Sequence, residues 1–187
     1  MFINRNNSRQ LMPRTDSFFI RAQINANNDD SFNQVSVDLG AYVDALGKSV
    51  LRIHNMAVQI TDATATTVQM VAGAGNGVAA NAKAQFQLTT QTQTGMVTGL
   101  DKSVIATGQL SAANMKNTLS FPSIVSESFD NLPQMWTNGY LVAVDTIYLG
   151  GLASDGFNED VYVTVVLECT VETMTQAAAM ALALSQQ

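Results

Sequence analysis

A twelve-residue alternation near the C-terminal end limits the fold of this chain more than any other feature. The run Val161–Glu172 reads VYVTVVLECTVE, so every second residue is apolar and the residues between are mostly polar. Because successive side chains of a β-strand point to opposite faces, this period of two predicts a strand with one face in a core. Twelve residues reach roughly 40 Å at about 3.3 Å each, so we expect the strand to cross the whole sheet.

The same period of two appears in three further segments. They are Phe18–Asn25, Gln34–Leu39 and Gln85–Leu88, and each predicts a half-buried antiparallel strand. Weaker strand patterns cover residues 66–71, 96–98, 103–106 and 118–125, the last an edge strand because it contains Pro122. Together these segments predict about eight to ten strands.

Two other runs, Ser49–Ile60 and Tyr140–Leu149, are apolar on both sides. Such strands are either covered on both faces within the domain or present an apolar surface to a partner. We favour partial burial against a neighbouring subunit.

Helix signals are few. Ser111 could cap a short turn over residues 111–117, and Thr173 or Thr175 could begin a C-terminal helix that is rich in alanine. A helix that is apolar nearly all round needs packing on most sides, so its pattern also favours a subunit contact.

The composition indicates one domain with a core of its own. Of the 187 residues, 47% are hydrophobic and 13% are charged, which excludes a disordered tail and a disulfide-stapled mini-protein. The apolar stretches, such as 177–184, are too short to cross a bilayer as a helix, and the first residues lack the apolar core of a secretory signal. We expect a flexible arm over 1–16, a sandwich over 17–172 and a helical tail over 173–187.

The N-terminal arm is basic, whereas the rest of the chain is acidic. Residues 1–15 carry a formal charge of +3 from Arg5, Arg9 and Arg14, and residues 22–187 carry −9. Two interpretations stay open: a frayed terminus with incidental arginines, or an arm that contacts a neighbouring subunit or an anionic partner through these three residues.

The residue types that carry chemistry form no convincing catalytic pattern. The glycines at 73, 75 and 77 lack the Gly-Lys-Ser/Thr ending of a phosphate loop, and Val78 stands where a dinucleotide-binding motif needs glycine. Cys169 and His54 both lie within predicted strands, where a small cysteine is usually a core residue. The pair Asp29 and Asp30 leaves a cation site open without indicating one. We therefore predict neither an enzyme nor a cofactor or metal.

The basic polar arm, the antiparallel strands with unequal loops, the low charge, the long last strand and the short tail together resemble a single jelly-roll capsid protein of a small icosahedral virus. The likeness in size and acidity is to the small major capsid proteins of tailless DNA viruses. It implies an all-β, antiparallel jelly-roll β-sandwich of two four-stranded sheets that self-assembles into a closed shell.

The resemblance also implies partners and a location. The partners would be other copies of the chain, with a second capsid protein and an internal membrane left open. The arm has three arginines rather than a long arginine-rich run, so we expect weak or no direct nucleic-acid binding. The protein would fold and assemble in the host cytoplasm and reside in the virion. The alternative is a β-sandwich binding module or an appendage or fibre subunit.

Overall fold

Two antiparallel sheets form the body of the protein in the computed structural model, which describes residues 16–44, 48–71, 80–114 and 124–187. These residues contain nine strands, a 3₁₀ turn at Pro133–Met135 and one helix, α1, at Gln176–Ser185. The strands are β1 (Phe18–Asn25), β2 (Asn33–Asp38), β3 (Ser49–Thr61), β4 (Ala80–Thr89), β5 (Val104–Asn114), β6 (Ile124–Asn131), β7 (Tyr140–Val142), β8 (Thr146–Ala153) and β9 (Tyr162–Thr173).

The strand order is that of a jelly roll. The first sheet has the order β1-β9-β3-β7 and the second has the order β2-β8-β4-β5-β6, so the chain crosses repeatedly from one sheet to the other. The predicted all-β jelly-roll sandwich is confirmed. The expected two sheets of four strands are not, because β6 adds a fifth strand to the second sheet.

Strand β9 lies inside the first sheet, between β1 and β3. Its inward side chains, together with Val161 just before the strand, are at most 1% exposed and form the centre of the core: Val161, Val163, Val165, Leu167 and Cys169. Strands β1 and β3 form hydrogen bonds with the backbone of β9 along most of its length. This pairing allows the strand to be long, because its buried amides and carbonyls have partners. The predicted strand and its buried face are confirmed.

The run Tyr140–Leu149 is two strands rather than one. Strand β7 pairs with β3 in the first sheet, whereas β8 pairs with β2 and β4 in the second, and the chain changes sheets at residues 143–145. Asp145 is exposed at this corner, and its carbonyl accepts a hydrogen bond from the Leu39 amide at 2.7 Å. The run is apolar on both sides because the strand before the corner and the strand after it belong to different sheets and both contribute buried side chains.

Helix α1 covers the outer side of the first sheet where β3 meets β7. Val50, Ala143 and Ala179 form a small second core there, apart from the main one. Thr175 is the N-cap, since its hydroxyl accepts a hydrogen bond from the Ala178 amide at 3.3 Å. The expectation that a neighbouring subunit covers this part of the two apolar runs is wrong, because the chain's own helix covers it.

Several weaker strand and turn predictions are also wrong. Ser111 continues β5 to Asn114, where a helical turn was expected. Residues 96–98 form a loop, and Met70 makes only an isolated bridge with Phe157. Of the predicted strand at 118–125, residues 118–123 lie outside the described residues.

The chain itself covers part of the polar outer face of β4. The Gln87 side chain donates to the Gly95 carbonyl at 3.0 Å and accepts from the Val97 amide at 2.7 Å. Gln87 and Thr89 are both fully buried as a result, because the loop after β4 folds back over them.

Candidate functional site

The predicted arm residues Arg5, Arg9 and Arg14 lie outside the described residues, as do the glycines at 73, 75 and 77.

Cys169 and His54 lie on opposite sides of the first sheet. Cys169 is buried in the core, where burial raises the pKa of its thiol to about 12, with a further contribution from the nearby Glu168 carboxylate. His54 is exposed on the outer side, and its Nε2 lies 2.8 Å from the Thr170 hydroxyl. A thiol with so high a pKa is not a nucleophile at neutral pH, and the imidazole contacts a different residue.

The carboxylates at 29 and 30 have partners within the protein. Asp29 accepts a hydrogen bond from the Ser31 amide at 3.0 Å, and Asp30 pairs with Lys83 at 2.8 Å. The described residues contain no group of three or more His, Cys, Asp or Glu side chains arranged to hold a metal ion. Within the same residues, no helix has the length and apolar character needed to span a membrane.

The outward side of α1 is apolar and exposed. Ala177, Met180, Ala181 and Leu184 follow the spacing i, i+3, i+4, i+7 and so share one side of the helix. Met180 is 43% exposed and Leu184 is 67% exposed. No residue of α1 is charged. We call these four residues the helix stripe.

Gln186 anchors the end of this helix to the sheets. Its side chain donates to the Leu141 carbonyl at 2.6 Å and accepts from the Ala143 amide at 3.0 Å, and its own carbonyl accepts from the Thr90 hydroxyl at 2.6 Å. The residue is only 3% exposed. Because the helix end is fixed at both sheets, the helix stripe is held at a defined position on the surface.

A second unusual feature is the edge of β3 beyond β7. A bulge at His54 shifts the register with β9, and β7 pairs with β3 only over residues 51–53. Beyond the bulge, the Gln134 side chain accepts from the Met56 amide and donates to the Met56 carbonyl, both at 3.1 Å. Gln134 thus takes the place of one residue of a neighbouring strand.

The loop that carries Gln134 also exposes large apolar side chains. Met135 is 59% exposed and Trp136 is 55% exposed. The loop then turns at Gly139, whose φ of +64° and close approach to the Ile53 carbonyl admit no side chain. This turn returns the chain to β3 and begins β7.

The sequence did not predict the two glutamines whose side chains form hydrogen bonds with the backbone at the edge of the first sheet. Gln186 is the penultimate residue and Gln134 follows a proline, so neither stands in a recognisable pattern. The apolar character of the C-terminal helix was visible in the sequence, but the side of the helix that stays exposed was not.

Comparison with known proteins gives similarity in structure only. No family model matches the chain, and no curated protein matches its sequence. VP1 of Trichodysplasia spinulosa-associated polyomavirus has a TM-score of 0.44 at 7% identity, covering 87% of this chain and 97% of that one.

Two further solved structures are similar at lower TM-scores. VP1 of Merkel cell polyomavirus, an unassembled pentamer, has a TM-score of 0.40 at 8% identity over 84% of this chain and 96% of that one. A chain of Desmodium yellow mottle tymovirus has a TM-score of 0.28 at 13% identity over 87% and 95%. The jelly-roll assignment does not depend on these similarities, because the strand order of the two sheets defines it.

Proposed function

We propose that this chain is a structural subunit of an icosahedral viral capsid and that its partners are other copies of itself. The observation that carries the proposal is the helix stripe, an uncharged apolar surface held rigidly on a jelly-roll body. The jelly roll is a fold of viral capsid proteins, lectins and cupins. A fixed apolar surface favours the first use, since interfaces of obligate assemblies resemble a divided core.

The proposal includes the location of the protein and the role of the arm. The chain would fold and assemble in the host cytoplasm and reside in the virion. Residues 1–16 would act as an arm that bridges subunits, with Arg5, Arg9 and Arg14 on an acidic neighbour. Three phosphate contacts would give a salt slope of only about −2.7 on duplex DNA, and the acidic body would oppose its approach.

The test of the helix stripe is the variant Leu184→Asp. We expect it to remain folded, because Leu184 is largely exposed, but to lose assembly because a charge enters an apolar contact. Light scattering and negative-stain microscopy would show closed shells of uniform diameter for the natural chain and small species for the variant. Gln187→Asp is the matched control, since it places the same charge at an exposed position just beyond the end of the helix and outside the helix stripe.

The alternative function, a binding module or an appendage or fibre subunit, has a different outcome. The natural chain would then stay a monomer or trimer over all salt and protein concentrations, and Leu184→Asp would change nothing. That result would refute the capsid proposal.

A deletion of residues 1–15 tests the arm. We expect a nearly unchanged circular dichroism spectrum with impaired or altered assembly. If the shortened chain assembles normally and loses only bound nucleic acid, measured by the absorbance ratio after nuclease treatment, the bridging role is wrong.

A further inference from the structure

The edge of β3 beyond the bulge has backbone groups without a strand partner. Met56 directs its amide and carbonyl to Gln134, away from β9, and backbone direction in a strand repeats every second residue. Val58 and Ile60 therefore also direct their backbone groups away from β9. In the described part of the chain, no strand pairs with them on that side. We call Val58–Ile60 the open edge.

The open edge differs from the edge strands β1, β2 and β6 in lacking charge. Edge strands are commonly protected from pairing by charged residues or proline. Strand β1 contains Arg21, β2 contains Asp38 and β6 contains Glu127 and Asp130. The segment 55–61 of β3 contains neither a charged residue nor a proline. Nothing in the strand itself therefore repels an added strand.

An apolar gap lies next to the open edge, between the two sheets. It has a volume of about 470 Å³, and its described lining includes Ile60, Val68, Leu110, Val125 and Phe157. Glu127 is the charged side chain among the described lining residues, and it is exposed. An extended segment that binds by strand addition uses such a combination, since backbone hydrogen bonds provide affinity and a pocket accepts alternate side chains.

The chain itself contains a segment of suitable chemistry. Residues 1–12 include no proline and supply Phe2, Ile3, Leu11 and Met12 as apolar anchors. The +3 charge of residues 1–15 complements Glu127 and the acidic body. Fifteen residues extend to at most about 50 Å, which is long enough to reach an adjacent subunit.

Strand β1 begins at some distance along the sheet from the open edge of the same copy. Strands β1 and β3 are both antiparallel to β9 and so run the same way, with Phe18 level with Ile53 and Ile24 level with Ile60. Phe18, the first residue of β1, is therefore level with Ile53 and not with Val58 or Ile60. In addition, β1 and the open edge are on opposite sides of the sheet.

From this arrangement we propose that the open edge of one copy accepts residues 1–15 of a second copy as an added β-strand. The apolar anchors of the arm would enter the gap, and an arginine would pair with Glu127. This inference rests on the proposed function for its partner, and it assigns a specific acceptor to the bridging arm.

Hydrogen exchange of the full chain tests the proposal at the Val58 and Ile60 amides. A synthetic peptide of residues 1–15, added to dilute protein, should slow exchange at both amides by about tenfold or more, as expected when an exposed amide enters a ladder. A scrambled peptide of the same composition is the control. Without peptide, protection of the two amides should rise with protein concentration, because a second copy supplies the arm.

The outcomes separate this inference from the proposed function. If closed particles form at high protein concentration, but the peptide does not slow exchange at either amide in the dilute protein, the strand-addition site is wrong and the capsid role stands. If the peptide protects the amides but no particles form, the site stands and the capsid role is wrong. Protection that does not depend on protein concentration would refute the second copy as the source of the arm.

Discussion

The two halves of β3 end the first sheet in different ways. Before the bulge, β7 pairs with residues 51–53, and the Gln186 side chain then bonds the outer edge of the β7 segment at Leu141 and Ala143. Beyond the bulge, Gln134 bonds Met56, and no strand among the described residues pairs with Val58 or Ile60 on this side. The first half is therefore closed by the chain itself, whereas in the second half the described residues cover the backbone of Met56 alone.

The comparison shows how one side-chain amide can substitute for a strand. A glutamine has both a donor and an acceptor at its end, so it can satisfy one backbone carbonyl and one backbone amide. Such an amide ends a sheet at a single position and cannot extend along it. The closed half has in addition a helix above it, which the open half lacks.

The largest expected effect comes from a charge placed in the core that lies beneath both halves of β3. Val165 is fully buried and is paired with Val58 across the sheet. Val165→Asp would bury an uncompensated charge and cost on the order of 4 kcal/mol, enough to remove soluble protein. Val166→Asp is the control, because that side chain is half-buried on the outer face and lies beside Arg21. Normal melting of the first variant would contradict the strand register.

The next largest effect is expected from a substitution that removes the hydrogen bonds at the edge of the closed half. Gln186→Ala removes both side-chain hydrogen bonds and leaves the Ala143 amide and the Leu141 carbonyl unpaired, at a cost of about 2 kcal/mol. Urea unfolding would measure this loss, and hydrogen exchange at Ala143 would locate it. Gln187→Ala, at an exposed position, should leave both unchanged. Equal stability of the two variants would show that Gln186 does not hold this edge.

A smaller effect on stability is expected from a substitution that extends the open edge to Met56. Gln134→Ala removes the two bonds to Met56 and should reduce the free energy of unfolding by about 1 kcal/mol. The amide of Met56 should then exchange faster. Gln59→Ala, an exposed position on the same strand, is the control. Unchanged exchange at Met56 would argue against the glutamine as the edge partner.

The smallest effect concerns a charge pair on the outer face of the closed half. Arg52 pairs with Glu172, its Nη2 lying 2.8 Å from a carboxylate oxygen, and this hydrogen bond lowers the carboxyl pKa of Glu172 below its ordinary value of 4.5. The stabilisation should thus be fully present above pH 4.5 and be lost as the pH falls through the lower folded value. Because the Glu172 side chain is 36% exposed, we expect a stabilisation of at most about 1 kcal/mol.

The matched variant for this pair is Glu172→Gln, which keeps the shape and removes the titrating group. The difference in stability between the natural chain and the variant should shrink in acid, as measured by thermal melting from pH 7 to pH 3. A difference that stays constant over this range would show that the carboxylate contributes nothing through its charge.

The sequence alone was sufficient for the elements whose side chains alternate against one core. Strand β9 and its buried face, β1 and β2 could be predicted, because each depends on a local period. The N-cap Thr175 was one of the two threonines that the sequence left open. The all-β class followed from the same local patterns, whereas the jelly-roll sandwich was implied by the resemblance to small capsid proteins.

Only the tertiary structure decided how the apolar runs are covered and where the sheet edge stays open. Residues 140–149 change sheets at a corner, and Val50 is buried by a helix more than a hundred residues away in the chain. Gln134 and Gln186 each act through two side-chain hydrogen bonds to distant backbone groups, and such contacts leave no period in the sequence. A local pattern determines which face of a strand is apolar, whereas long-range packing determines what lies against that face.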